Sequence, residues 1–284
     1  MKILYFDLER GSQTLGNQDK IQKMFGLPML APSTYDAFEK ILAQIYTEKK
    51  TKTTKKIGNL DVTEEHIHKT LNKGIEVNAL VVDTFSELSK KYQRQLVSSG
   101  RGATGTMKLQ DWGKLRNTLD HMLDRLTSLP GIVICNCHAK VQTMDDGNKL
   151  MPYNDGGTKE DISKWFDFVF YTTTTAAPSG LRHYKWVTQR TEKYDNAKDR
   201  TALLDPVIDQ DYQIPINAAR ERGFENCRIL VIGSPGSGKT YALNTLLNTT
   251  NRVSATKKTT KTTNQVTTTS NGMHETQTTE GVIL

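Results

Sequence analysis

The feature that most constrains this chain is the octapeptide Gly233-Ser234-Pro235-Gly236-Ser237-Gly238-Lys239-Thr240, a complete G-x-x-x-x-G-K-T. The apolar run 228–232 precedes it and the helix-forming stretch 241–247 follows it. That is the strand–loop–helix context in which the pattern cradles phosphate. Glycines let the backbone curl until successive N–H groups face phosphate oxygens, and a helix start adds a positive dipole end. In such a loop Lys239 reaches the β- and γ-phosphates and the Thr240 hydroxyl ligates Mg²⁺. Nucleotide contact is therefore assigned to residues 233–240 and the adjoining Tyr241, with a chance Gly-rich turn as the alternative.

The position of the loop is as informative as its composition. Only 44 of the 284 residues follow Thr240, and 249–280 are Thr-, Asn- and Lys-rich with almost no apolar content. Such a segment cannot offset its ordering entropy by burial, so 249–284 is expected to be a disordered tail. A phosphate loop needs a metal-holding carboxylate at the end of a neighbouring strand, and none lies downstream. Upstream, Leu80-Val81-Val82-Asp83 has that form: Asp83 holds Mg²⁺ through water, or else merely ends a strand.

Further strands are expected over 1–8, 132–135, 165–172 and 183–188, with helices over 36–48 and 109–126 at 3.6-residue spacing. The Lys/Thr run 49–56 and the stretches 98–105 and 143–160 read as loops, and Trp112 reads as core on the apolar helix face. Strands alternating with helices predict an α/β fold, a mostly parallel sheet with helices on both faces. One domain is expected over 1–248, with its phosphate-loop strand and helix at 228–248. Joining Leu284 to Met1 would restore the usual order of such a core, so the chain reads as circularly permuted, with the tail filling a surface loop.

A formal charge of +7 suits a polyanionic partner without specifying one. Of three cysteines, Cys135 and Cys137 alternate along one apolar run, which points to buried, reduced thiols rather than a disulfide framework or a zinc site. No apolar run approaches the roughly 20 residues of a membrane span. The N-terminus reads as a strand and not a leader, so a cytoplasmic protein with no membrane partner is expected.

Phe6-Asp7-Leu8-Glu9 resembles the RecA-type strand that carries a water-activating glutamate. The segments 83–88, 110–114, 137–140 and 165–169 (DTFSEL, QDWGK, CHAK and WFDFV) resemble the phage-encoded RecA-like nucleotide-binding proteins, the Sak-type single-strand annealing ATPases of the AAA/P-loop NTPase superfamily. The resemblance covers about 1–12, 75–205 and 228–248; the chain departs from it in the permuted order and in an extra segment around 50–74.

The resemblance implies a RecA-like core, ATP rather than GTP with Mg²⁺, and DNA-stimulated hydrolysis. It implies a homo-oligomer on single-stranded DNA, in the host cytoplasm, working beside a phage single-strand binding or replication protein. Glu9 would polarise the attacking water, and His138 would sense the γ-phosphate or else be structural. Lys193, Lys198 and Arg200 would reach a neighbouring subunit's nucleotide. The two loops would contact DNA through Arg101, Lys108 and Lys149, with Tyr153 stacking on a base. Two other functions stay open at this point: a non-catalytic ATP-dependent switch or loader for replication and recombination proteins, and a motor. The motor is disfavoured because 284 residues leave no room for an accessory domain.

Overall fold

A computed structural model describes residues 1–15, 18–101, 105–144, 147–154, 161–176 and 182–247. The segment expected to be disordered, 249–284, lies outside the described residues. In chain order, β1 (Ile3–Asp7) leads through α1 (Gln18–Phe25) and α2 (Tyr35–Ile45) to β2 (Tyr46–Ile57), β3 (Leu60–Leu71) and β4 (Ala79–Asp83). Next come α3 (Phe85–Arg101), α4 (Leu109–Thr127), β5 (Ile132–Met144), β6 (Gly147–Pro152), β7 (Phe168–Ala176), β8 (Arg182–Val187) and β9 (Lys198–Asp199). The chain closes with β10 (Val207–Asp209), α5 (Gln213–Glu221), β11 (Cys227–Gly233), α6 (Lys239–Ala242) and α7 (Asn244–Leu247).

The main sheet has the order β1-β4-β5-β11-β7-β8-β10, and its first five strands are parallel. β11, the last strand in sequence, pairs with β5 on one side and β7 on the other, with Ile232 opposite Cys137 and Tyr171. β1, β4 and β11 are buried along their whole length, as continuous aliphatic runs between two helical layers must be.

Alternation of side chains divides the interior into two cores. Leu4, Phe6, Leu80, Val82, Val133 and Ile232 meet Phe38 of α2, Leu88 of α3 and Leu115, Leu119 and Met122 of α4. On the opposite face, Ile3, Tyr5, Val81, Ile134 and Val231 meet Phe25 of α1, Ile216 of α5, and Leu243 and Leu246. Arg228 closes the C-terminal end of α4: its guanidinium donates to the carbonyls of Thr127, Leu129 (2.7 Å) and Gly131 (2.8 Å).

Several expectations need correction. Residues 49–56 form most of β2, antiparallel to β3. The Lys/Thr run pairs across the ribbon through Thr54–Thr63 hydroxyls (3.0 Å) and Lys55–Glu64 (2.9 Å). Both faces are wet, so no apolar alternation betrays the strand. The stretch 98–105 opens with α3, which continues to Arg101, and 143–160 contains β6, which folds back on β5. The helix expected over 241–247 is two short turns separated at Leu243. Trp112 is 36% exposed and lines a surface groove instead of the core. All three cysteines are free and buried. Among the described residues no helix is long and apolar enough to cross a membrane.

Candidate active site

The C-terminal ends of β1, β4 and β11 and the middle of β5 converge on one cleft of about 470 Å³, whose lining includes Glu9, Asp83, His138, Lys239 and Thr240. Each side chain is delivered by its strand. Asp83 ends β4 opposite Asp7 of β1, and His138 follows Cys137 on β5, level with Gly233 of β11. Of the residues expected from sequence, the phosphate loop, Asp83, Glu9 and His138 are therefore neighbours, although 157 residues separate Thr240 from Asp83.

The loop itself requires small residues. A Cβ at Gly233 would overlap the Thr172 hydroxyl of β7. Gly238 has φ +87°, and a Cβ there would lie 2.8 Å from Gln210 Oε1 and 3.3 Å from the Tyr184 ring, so only glycine fits. Gln210 also donates to the Ser237 carbonyl (3.2 Å), tying the loop to the far side of the sheet. Lys239 is buried, and its ammonium donates to the carbonyls of Gly233 (2.8 Å) and Ser234 (2.9 Å). Burial lowers its pKa, while Asp83, Cys137 and Glu9 counter that by Coulomb attraction.

Asp83 is 2% exposed and takes three side-chain donors: Thr240 Oγ1 (2.7 Å) and Tyr5 OH (2.9 Å) on Oδ2, and Asn136 Nδ2 (3.1 Å) on Oδ1. Burial raises its pKa, against the opposing effect of those three donors and Lys239. A hydroxyl beside a buried carboxylate is the hard oxygen donor pair that Mg²⁺ prefers. Gly11 faces this pair, and a Cβ on it would lie 3.2 Å from Thr240 Oγ1 and 3.6 Å from Asp83 Oδ2. The residues thus fit a Mg²⁺ ion held by Thr240 and Asp83. Among the described residues no cluster of three or more His, Cys, Asp or Glu forms a metal cage, so most ligands of such an ion would come from nucleotide and water.

Glu9 reaches the cleft because Asp7 shapes the turn after β1. The Asp7 carboxylate accepts from Gly11 N (2.8 Å), Ser12 N (3.2 Å) and Ser12 Oγ (2.5 Å). Glu9 Oε1 then lies 2.6 Å from His138 Nε2 and accepts from Thr84 Oγ1 (2.5 Å). Burial would raise the Glu9 pKa, but the bonds from His138 and Thr84, with the charges of His138 and Lys239, bring it below the ordinary carboxylate value. A carboxylate held ionised at the mouth of a phosphate loop can polarise water.

The other sequence candidates lie elsewhere. Lys198 donates to the Ser163 (3.3 Å) and Phe166 (2.7 Å) carbonyls, and Arg200 pairs with Asp167 (2.7 Å). Both stand at the N-terminal end of β7, where Val169 faces Lys198, whereas the phosphate loop is at the C-terminal end of the sheet. Lys193 lies 5.5 Å over the Tyr194 ring. Lys149 is 3.9 Å from Asp195, and exposed Lys108 begins α4. Arg101 ends α3, with its side chain outside what is described. Tyr153 lies beneath Lys90 (5.0 Å) and Lys140 (5.4 Å). It lines a groove of about 1070 Å³ with Lys90, Lys91, Arg94, Met107 and Trp112.

Sequence reasoning missed Tyr5, Thr84, Asn136, Tyr184 and Gln210. Thr84 and Tyr5 had a local signal, one adjoining Asp83 and the other alternating with Asp7 on β1.

A parallel sheet with a glycine loop, a buried carboxylate and a threonine at its C-terminal edge defines a P-loop NTPase. A protein-family model described as an AAA domain matches residues 1–201, and the chain belongs to that family. The match ends ahead of the phosphate loop at 233–240. Membership supports nucleotide binding and NTPase activity in general. No curated protein and no solved structure gives a significant match.

Proposed function

We propose that this protein is a RecA-like ATPase, circularly permuted, that acts on single-stranded DNA in recombination or annealing of the kind performed by the phage proteins it resembles. The observation that carries the ATPase reading is the convergence of Glu9, Asp83, Lys239 and Thr240 on one cleft. In hydrolysis, water oriented by Glu9 attacks the γ-phosphorus while the bond to the β–γ bridging oxygen breaks and ADP leaves. Lys239 exchanges its loop carbonyls for β- and γ-phosphate oxygens and offsets their charge. Thr240 and Asp83 would hold Mg²⁺, which would supply further neutralisation of the phosphates.

Permutation is supported by the strand order. Read as β11, β1, β4, β5, β7, the core has its phosphate-loop strand first and its metal-carboxylate strand third. The DNA reading rests on the groove, where half-buried Lys90 and Lys91 and exposed Arg94 stand with the aromatic side chains of Tyr153 and Trp112, a combination of cations and rings of the kind that binds single strands. Its floor adjoins the catalytic cleft, because Tyr153 N donates to the His138 carbonyl (2.6 Å).

The test is ATP hydrolysis by the purified protein with and without single-stranded DNA, beside Lys239→Ala and Glu9→Gln. DNA-stimulated turnover lost in both variants is expected. Nucleotide binding without turnover, even with DNA, would replace the ATPase reading with that of a non-catalytic switch or loader.

A further inference from the structure

Beneath Asp83 and Thr240 runs a chain of buried polar side chains that no substrate can touch: Tyr5, Asn136 and Tyr212 are each 0% exposed. Strand register explains how two of them meet the carboxylate. Tyr5 of β1 is level with Val81 of β4, two residues before Asp83, and Asn136 of β5 is level with Asp83 itself. Residues two apart on a strand share a face. Both side chains therefore reach Asp83 on one face of the sheet, from the two strands that flank β4. That face is otherwise apolar, filled by Ile3, Phe25, Val81, Ile134 and Val231.

The hydroxyl is the part of Tyr5 that packing does not require. Its ring lies against Phe25, with centroids 5.5 Å apart, a contact that phenylalanine would make as well. An apolar interior penalises a hydroxyl unless it is hydrogen-bonded, and its partner here is Asp83 Oδ2 at 2.9 Å. The same oxygen accepts from Thr240 Oγ1 (2.7 Å). Asn136 Nδ2 donates to the other oxygen (3.1 Å), and Asn136 Oδ1 accepts from Tyr212 OH (3.4 Å). The outer torsion of an aspartate is intrinsically soft. With Tyr5 on one oxygen and Asn136 on the other, the carboxylate is fixed in one plane.

We propose that Tyr5 is a positioning residue for the metal: its hydroxyl fixes the Asp83 carboxylate in the plane in which Asp83 and Thr240 together would hold Mg²⁺. Asn136 completes the clamp from the other side. The inference rests on the phosphate-loop reading of the cleft and goes beyond it, by assigning a residue that touches neither nucleotide nor metal. Outer partners that orient a metal-holding group are worth about 10–100-fold in metal affinity.

The experiment compares the full chain with Tyr5→Phe, which keeps the whole ring, and with Phe25→Leu. Mn²⁺, a paramagnetic substitute for Mg²⁺, is titrated by electron paramagnetic resonance with protein in excess over a non-hydrolysable ATP analogue. Affinity for the analogue in EDTA and the melting temperature are measured beside it. Tyr5→Phe should weaken Mn²⁺ binding about 10–100-fold, with metal-free affinity for the analogue unchanged. Phe25→Leu loosens the ring's packing without touching the hydroxyl, so it should melt lower and bind Mn²⁺ as the parent does. Parental Mn²⁺ affinity in Tyr5→Phe overturns the proposal. So does an equal loss in Phe25→Leu, which would make the effect one of packing. Loss of the metal-free analogue in Tyr5→Phe also overturns it, because Tyr5 would then support the loop and not the metal. A parent that binds neither analogue nor Mn²⁺ removes the phosphate-loop reading itself and this proposal with it, an outcome distinct from the other three.

Discussion

The carboxylate of Glu9 lies 2.6 Å from Nε2 of His138, bringing together the turn after β1 and the middle of β5. Thr84 shares the same oxygen of Glu9, and no protein donor reaches its second oxygen among the described residues. The Nδ1 atom of His138 is buried and has no partner among the described residues, so the ring is fixed from one side only. The pair orients the carboxylate and favours its ionised form at the same time.

Glu9→Gln should lower turnover by about 10²–10⁴-fold, the range for loss of a general base, with nucleotide affinity unchanged. The lowered Glu9 pKa puts loss of the base, as pH falls, below the ordinary carboxylate range. His138→Ala removes one cause of that lowering, so the acid limb of the kcat profile should move up. The same sign holds for stability: the contribution of Glu9 is present above its unfolded pKa and is lost as pH falls through the lowered folded value. An acid limb identical in parent and His138→Ala would separate Glu9 from the pH dependence.

Lys239 is held inward by two loop carbonyls, so nucleotide must exchange those bonds for phosphate oxygens. Lys239→Ala removes the charge and should weaken ATP binding by about 100-fold or more, equivalent to about 2.7 kcal/mol. Lys239→Arg should not restore it, because a planar fork cannot replace a compact ammonium in a buried site. Titration calorimetry with ATP reads both variants; near-parental affinity in Lys239→Ala would remove the phosphate role.

The parts of this site that were legible in sequence are those written locally. Residues 233–240 carry their geometry in eight consecutive positions, and Asp83 closes a short aliphatic run. Tyr184 and Gln210 come from separate elements and meet the loop only because β8 and β10 extend the sheet beyond β7. The β2–β3 ribbon had no apolar period to reveal it, and α5 has a proline, Pro215, inside its first turn. Trp112 followed the helical apolar pattern but falls at the exposed start of α4, beyond the reach of the sheet.

If the groove binds single strands, Tyr153→Ala and Trp112→Ala should each weaken binding by about 1–3 kcal/mol, the usual loss for a stacked base. Lys91→Glu should also weaken it, and the slope of log K against log salt should fall by about 0.7 for each phosphate contact removed. Arg94 is paired with Glu87 at 2.8 Å, so its replacement should cost less than that of Lys91. Fluorescence anisotropy with a labelled oligonucleotide at several salt concentrations measures all of these. Unchanged affinity in both aromatic variants would move the DNA site away from this groove.

Asp83 makes the metal site costly to the nucleotide-free fold. Its carboxylate is buried, and its raised pKa means that the folded chain binds a proton which the unfolded chain releases at the same pH. Stability should therefore fall as pH rises from the unfolded carboxylate value through the raised folded one. In Asp83→Asn the side-chain oxygen still accepts from Thr240 and Tyr5, and Asn136 can turn its amide to face the new NH₂. The variant removes the charge without opening a cavity, so the nucleotide-free protein should melt about 2–4 °C higher, as about 1 kcal/mol implies for a domain of this size, and the pH slope should vanish. The same variant should lose the extra stabilisation that Mg²⁺ with ATP gives the parent, an effect expected to grow with pH as Asp83 ionises. Thermal scans across pH, with and without Mg²⁺ and ATP, read both effects. A lower melting temperature for Asp83→Asn without nucleotide would mean that the carboxylate stabilises the empty fold and is not held against its own burial cost.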